Sequence, residues 1–165
     1  MELAIKNKWV SLGGSSTVQD LNGNDVLKVQ GKIFSFTQKK FVKTLQDECL
    51  YTVRNKFFSF FGRTALVLDS NDKVVATVRK KIISLHSRFF VESDLGQVEI
   101  TGNILGFDYH ITVNGRDVGH IERRISLRDS FVLKIDDEFD YRLFVALVIA
   151  IDNVTDRRES ALSGI

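Results

Sequence analysis

Apolar residues recur along the chain in pairs spaced four positions apart, and successive pairs begin about 21 to 25 residues apart. Each pair encloses three mostly polar residues, such as Arg79-Lys80-Lys81. The five pairs are Val29/Ile33, Val53/Phe57, Val78/Ile82, Ile100/Ile104 and Ile121/Ile125. Self-similarity at this period indicates an architecture of repeated units.

A turn signal precedes three of the pairs: Asn22-Gly23, Asn71-Asp72 and Asn114-Gly115. Asn and Gly adopt the positive φ angles that tight hairpin turns require. Polar and apolar residues alternate over 73–79 and 97–101, as in strands with one wet and one buried face. The repeating unit is therefore strand, tight turn, strand, corner, strand, and we predict about twelve antiparallel strands before Glu138.

The segment 139–154 breaks this pattern because it is almost entirely apolar. A buried central strand is one interpretation, but the length favours a helix of roughly 24 Å at 1.5 Å per residue. Acids at 136–138 precede it and Arg157 and Arg158 follow it, the charge order that a helix dipole favours. A helix that is apolar all round must be enclosed. We therefore predict one domain over 1–165, mainly β in the α+β class: a closed barrel of about twelve antiparallel strands around this helix.

Composition and charge narrow the classes of function. A net charge of +2 and a pI near 8.7 give too little excess positive charge for a protein that binds nucleic acid through many phosphates. The longest apolar run, 143–151, is shorter than the roughly 20 residues that cross a bilayer, so we expect no transmembrane insertion. The single cysteine, Cys49, excludes an internal disulfide, and the first residues lack the features of a signal peptide. We predict a cytoplasmic location.

Motifs of catalysis are missing from the sequence. It has no nucleophile elbow, P-loop or Rossmann glycine pattern, so we predict no enzyme, no catalytic residue and no cofactor. Cys49 stands beside acids that would disfavour its thiolate. His86, His110 and His120 lack metal-site spacing, and we assign no metal, although Asp108, His110 and His120 could converge in three dimensions.

Two segments resemble a known family: the hairpin VLDSNDKVVATVRKKIISLHSRFFV at 67–91 and the apolar DYRLFVALVIAIDNV at 140–154. They are similar to LURP-one-related proteins of plants and bacteria. The resemblance implies the tubby-like fold, a twelve-stranded barrel around a hydrophobic helix, and a distant similarity to phospholipid scramblases. Tubby domains are associated with phosphoinositide head groups and scramblases with calcium-dependent lipid movement. The acids at 136–140 lie roughly where scramblases have a calcium-associated segment, but their spacing lacks the alternating ligands of a calcium loop.

The basic corners are the candidate binding site. If the repeats are equivalent, their Lys and Arg residues gather at one end or side of the barrel and hold phosphate or carboxylate groups. The ligand-binding residues predicted on this basis are Lys56, Arg79, Lys80, Lys81, Arg123 and Arg124, with Lys32 and Arg54 beside them. The alternative is that these residues are solvated and protect sheet edges from aggregation.

The leading functional hypothesis is a non-enzymatic module that binds anionic phospholipid head groups at the cytoplasmic membrane face. A second hypothesis is a protein-interaction domain that uses exposed aromatic residues such as Phe57, Phe58, Phe60 and Phe61. A scramblase-like activity is a third hypothesis, against which Asp152 and the short apolar run both argue.

Overall fold

Over the described residues, twelve strands and one helix form the fold. The computed structural model describes residues 1–6, 14–57, 63–83, 86–103, 108–124 and 130–155. The elements are β1 (Glu2–Lys6), β2 (Ser15–Asp20), β3 (Asp25–Gly31), β4 (Lys40–Lys43), β5 (Cys49–Asn55), β6 (Thr64–Leu68), β7 (Val74–Ile83), β8 (His86–Ser93), β9 (Gly96–Asn103), β10 (Asp108–Val113), β11 (Arg116–Arg124), β12 (Ser130–Ile135) and α1 (Tyr141–Thr155). The predicted strand number and fold class are confirmed.

Every strand pairs antiparallel with its neighbours in sequence, and β12 pairs with β1 to close the barrel. Each odd-numbered strand therefore runs in the same direction, and each even-numbered strand runs back. We call the end where the odd-numbered strands finish the upper end and the opposite end the lower end. Because α1 follows β12, it enters the barrel from the lower end and finishes near the upper end.

The helix α1 fills much of the barrel interior, and ten of its fifteen residues are buried. It begins two residues later than predicted, since Asp140 caps it: Asp140 Oδ1 accepts the Arg142 backbone N–H at 3.0 Å. The helix packs against β4 to β7 and β12. Phe89 and Tyr109, whose ring centroids lie 5.6 Å apart, add bulk from β8 and β10. The strand interpretation of this segment is wrong.

The three predicted turn signals all lie in hairpin turns. Asn114 and Gly115 have φ values of 52° and 79°, the primed geometry that joins β10 to β11 with two residues. The other two turns comprise residues 21–23 and 70–72, each enclosed by a backbone hydrogen bond between the flanking residues. The last residue of each turn, Gly23 or Asp72, is left-handed. A related turn at 45–47, which sequence reasoning missed, closes on Asp47 with a φ of 70°.

The predicted corners are instead the ends of strands. Arg79, Lys80 and Lys81 lie inside β7, whose register with β8 continues to Ile83. Arg123 and Arg124 likewise remain paired with β12. The prediction placed the bends too early because the strands extend past the buried apolar residue of each pair, and continued pairing satisfies their backbone groups.

The enclosed helix yields a stability prediction. Ile149 is 1% exposed in α1, so Ile149→Ala removes packing that a closed barrel cannot easily restore. We expect urea denaturation to show a loss of about 2–5 kcal/mol in the free energy of unfolding. Leu21→Ala, at a side chain that is 73% exposed, is the control. Equal losses in the two variants would contradict enclosure of the helix.

Candidate functional site

Basic residues gather at the upper end of the barrel. They lie in the upper halves of the strands and on the links that join each odd-numbered strand to the even-numbered strand after it. We call the following set the basic end: Lys6, Lys32, Lys39, Arg54, Lys56, Arg63, Arg79, Lys81, Arg88 and Arg124. Among the described acids, Asp108 begins β10 and Asp152 lies near the end of α1, so both are also at the upper end.

Acidic residues gather at the lower end, where the tight turns and the start of the helix lie. They are Asp20, Asp25, Asp47, Glu48, Asp69, Asp72, Asp94, Asp136, Asp137, Glu138 and Asp140. Some serve the turns directly: Asp20 Oδ1 accepts the backbone N–H groups of Asn22 and Asn24 at 2.8 and 2.9 Å. The pKa of Asp20 is lowered first by a hydrogen bond from the Asn24 side chain, whose Nδ2 donates to Asp20 Oδ2 at 3.0 Å, and then by the bond from the Asn24 backbone N–H. The barrel is therefore polarised, although its net charge is small.

Four of the six predicted ligand-binding residues are exposed at the basic end: Lys56, Arg79, Lys81 and Arg124. They do not form one compact cluster. In a barrel of twelve strands, β5 and β11 stand on opposite sides, and β7 and β11 are four strands apart, roughly 19 Å along the wall. The basic end is thus a broad ring, and several of its members are partly neutralised by acids. Arg79 lies 3.1 Å from Glu92, Arg88 lies 3.8 Å from Glu99, and Arg124 lies 3.7 Å from Glu122.

The other two predicted residues, Lys80 and Arg123, lie on the inward-facing rows of their strands. Lys80 shares its face with Val78, and its Nζ lies 6.0 Å from the ring centroid of buried Phe89. Arg123 pairs with Phe131 on the face of buried Ile121. Both are half-buried. Sequence reasoning missed this because it placed these residues in corners rather than in alternating strands.

A third inward-facing cation, Lys40, contacts the end of the helix. Its side chain is 5% exposed, and its Nζ donates to Asp152 Oδ2 at 3.0 Å. Cations near the last turn of a helix also interact favourably with its dipole. The interior at the upper end is therefore polar, whereas the remainder of the core is apolar.

Five buried polar side-chain atoms at this end have no hydrogen-bond partner among the described residues: Asn55 Oδ1, Ser87 Oγ, Ser130 Oγ, Asn153 Oδ1 and Thr155 Oγ1. They belong to strand ends and to the last turn of α1. Within the described part of the chain, these are all the buried side-chain nitrogen and oxygen atoms left unsatisfied. Because an unsatisfied polar group in a dry core reduces stability, the upper interior contributes less to the stability of the barrel than the apolar remainder of the core.

Large apolar side chains are also exposed at the upper end. The link between β3 and β4, residues 32–39, carries Ile33, Phe34 and Phe36, which are 62%, 97% and 90% exposed. Phe57, just beyond β5, is 68% exposed. We call these four residues the apolar tip. They stand among Lys32, Lys39, Arg54 and Lys56 of the basic end.

The link that carries Ile33, Phe34 and Phe36 of the apolar tip is held by hydrogen bonds. Asn153 Nδ2 of the helix donates to Gln38 O at 3.0 Å, and the Asn55 backbone N–H donates to Thr37 O at 2.7 Å. Phe34 and Gln38 adopt positive φ values of 56° and 51°, which side-chain-bearing residues rarely do. Strain of this kind is often kept at functional positions. The two phenylalanines are therefore displayed by an anchored backbone.

The acids at 136–140 have structural partners. Asp140 caps α1, and Arg116 contacts both Asp136 and Glu138. These contacts raise the pKa of the Arg116 guanidinium, first of all the hydrogen bond to Glu138. Arg157 and Arg158, predicted to follow the helix, lie outside the described residues.

The strand register brings together Asp108, His110 and His120 on the outer wall. One potential ligand atom from each lies within 4.8 Å of the other two. Sequence spacing could not identify this group because it depends on the pairing of β10 with β11. Of the aromatic residues proposed for a protein interface, Phe57 is exposed, whereas Phe58, Phe60 and Phe61 lie outside the described residues.

These features define a class of protein: closed antiparallel barrels that are filled by an apolar helix. Their clusters of charged and polar side chains lie at the ends and on the outer wall. The LURP-one-related family model matches residues 1–152, and the chain belongs to that family. No helix among the described residues has the length and hydropathy to span a bilayer.

Two known proteins are similar over nearly the whole chain. YxjI of Bacillus subtilis (strain 168) is 26% identical over 156 residues, which cover 93% of each protein. The X-ray structure of the Arabidopsis thaliana protein AT5G01750 matches with a TM-score of 0.66 at 18% identity, over 94% of this chain and 91% of that one. The second similarity is one of fold.

The Lys40–Asp152 pair gives a prediction for the upper interior. Lys40→Met leaves the Asp152 carboxylate without its partner, and we expect a loss of about 3–5 kcal/mol in the free energy of unfolding, measured by urea denaturation. The double variant Lys40→Met/Asp152→Asn removes both charges and should recover most of that loss. If the loss in the double variant equals the sum of the losses in Lys40→Met and in Asp152→Asn alone, the side chains do not interact.

Proposed function

We propose that this protein is a non-enzymatic module that docks on anionic phospholipid surfaces through its upper end. One observation carries the proposal: the apolar tip and the basic end share the same end of the barrel. Surfaces of this composition suit a bilayer, because lysine and arginine meet the head groups while phenylalanine enters the apolar region beneath them.

The expected energies are sufficient for reversible docking. Each Lys or Arg near an anionic surface contributes about 1 kcal/mol. Each phenylalanine that leaves water contributes roughly 1.5–3 kcal/mol. Four cations with Phe34 and Phe36 therefore supply roughly 7–10 kcal/mol before the entropic cost of association. Binding of this strength is reversible and should weaken as salt screens the charges.

The anchored link supports the same proposal. A phenylalanine on a loose loop would lose conformational freedom on entering a membrane, whereas Phe34 and Phe36 stand on a backbone already fixed by Gln38 and Thr37. The acidic lower end would face away from an anionic surface, which favours one orientation of the barrel. The site proposed for the cytoplasmic membrane face therefore comprises the apolar tip with Lys56, Arg79, Lys81 and Arg124.

The experiment is co-sedimentation with vesicles of phosphatidylcholine containing increasing phosphatidylserine, at low and at physiological salt. We expect retention to rise with phosphatidylserine and fall with salt. Phe34→Ser/Phe36→Ser should abolish retention, since the serines cannot enter the bilayer. The control Leu21→Ser/Leu45→Ser replaces exposed apolar residues at the lower end and should bind normally.

A second pair of variants separates local from net charge. Arg79→Glu/Lys81→Glu and Lys43→Glu/Lys73→Glu change the net charge equally, but only the first pair alters the basic end. We expect the first to reduce retention several-fold and the second to have little effect. Wild-type protein that fails to bind at any lipid composition, or equal effects of the two pairs, would refute the proposal. Failure to bind would leave a protein partner as the occupant of the apolar tip.

A further inference from the structure

We infer that Asp108, His110 and His120 form a binding site for a divalent transition-metal ion of the zinc type on the outer wall of the barrel. This site lies away from the apolar tip and is independent of the proposed membrane function.

The geometry follows from strand register. His110 on β10 stands directly opposite His120 on β11, and their ring centroids lie 5.0 Å apart. Asp108 precedes His110 by two residues and therefore shares its face of the sheet. Asp108 Oδ1 lies 3.0 Å from His120 Nε2. Three residues of ligating type thus converge on one face of two paired strands.

The distances are close to those of a metal site. The three potential ligand atoms lie within 4.8 Å of one another. Ligands around tetrahedral zinc are about 3.3 Å apart, as Zn–N distances of about 2.0–2.1 Å imply. Small rotations of the exposed side chains Asp108 and His110 would close this gap without moving the backbone.

An irregularity in β11 places a fourth group beside the site. The register shifts after Ile111, so that Thr112 faces Asp117, and the Asp117 carboxylate lies 3.4 Å from His110 Nδ1. A carboxylate at the second ring nitrogen of a ligating histidine orients the ring and increases its basicity. Asp117 is thus a positioning residue in this site.

Gly119 allows β11 to approach β12 closely next to His120. An ideal Cβ at this position would lie 2.5 Å from the carbonyl oxygen of Lys134 on β12. Any other residue would push β12 away and disturb the pairing next to His120. The glycine therefore allows β11 to remain paired with β12 beside His120.

The surroundings leave room for further ligands of the ion. An open cleft of about 640 Å³ adjoins the histidines and is lined in part by Leu21, Asp117, Gly119 and Lys134. Three protein ligands leave at least one coordination position for water or an external ligand, as in zinc sites that are not closed. Two imidazoles and one carboxylate favour zinc, nickel or copper over magnesium or calcium, which prefer oxygen ligands.

The test is titration of the full chain with Zn²⁺ by calorimetry, supported by the visible absorption of Co²⁺ as a probe of coordination. We expect about one ion per chain. His110→Ala/His120→Ala should bind Zn²⁺ at least about tenfold more weakly and lose the Co²⁺ bands, with unchanged circular dichroism. His86→Ala, which alters the remaining histidine, is the matched control and should bind like the wild type.

The positioning role of Asp117 has its own readout. Asp117→Asn should weaken Zn²⁺ binding by about 10- to 100-fold while the Co²⁺ spectrum keeps its bands, because the ligands themselves remain. Wild-type affinity in the double histidine variant, equal loss in His86→Ala, or a preference for Mg²⁺ or Ca²⁺ over Zn²⁺ would overturn the assignment. Vesicle binding by the double histidine variant should equal that of the wild type, which separates this site from the proposed membrane function.

Discussion

Enclosure of the apolar helix α1 is the constraint on which the rest of the structure depends. A helix whose residues 144–151 are all buried has no face to offer to water, so the sheet must close around it. Eight strands would leave room for side chains alone, whereas twelve leave room for a helix. Closure also removes every sheet edge, which fits a chain without proline, since proline is largely confined to edges and bulges.

Charge polarity follows from the same topology. In an up-and-down barrel the tight turns of hairpins β2–β3, β4–β5 and β6–β7 all lie at the lower end, and turns of this kind favour Asp and Asn. The helix begins at that end as well, where acids stabilise its amino terminus. Basic residues occupy the other end, where Lys40 meets Asp152 near the helix carboxyl terminus. Turn chemistry and the helix dipole thus favour the same separation of charge.

The sequence allowed the fold to be predicted because its signals are local. Asn114-Gly115 indicates a primed turn by itself, and a run such as 143–151 indicates burial without knowledge of its partners. The candidate site required information about pairing. His110 lies opposite His120 only because of the register of β10 with β11. Lys80 faces inward only because β7 continues as a strand past Val78. The link that carries Phe34 is held by a hydrogen bond to Gln38 from Asn153, more than a hundred residues away in sequence.

A plugged barrel also limits where recognition can occur. Ligand sites in many barrels lie in the open mouth or the interior, but here α1, Phe89 and Tyr109 occupy that space. Ligands must therefore meet the ends or the outer wall, where side chains stand on a rigid sheet or on links anchored to it. Both surfaces proposed here meet this condition. The apolar tip is fixed through Gln38 to the helix, and the histidine pair is fixed by strand register. The core that prevents an internal site thus gives the external ones their defined geometry.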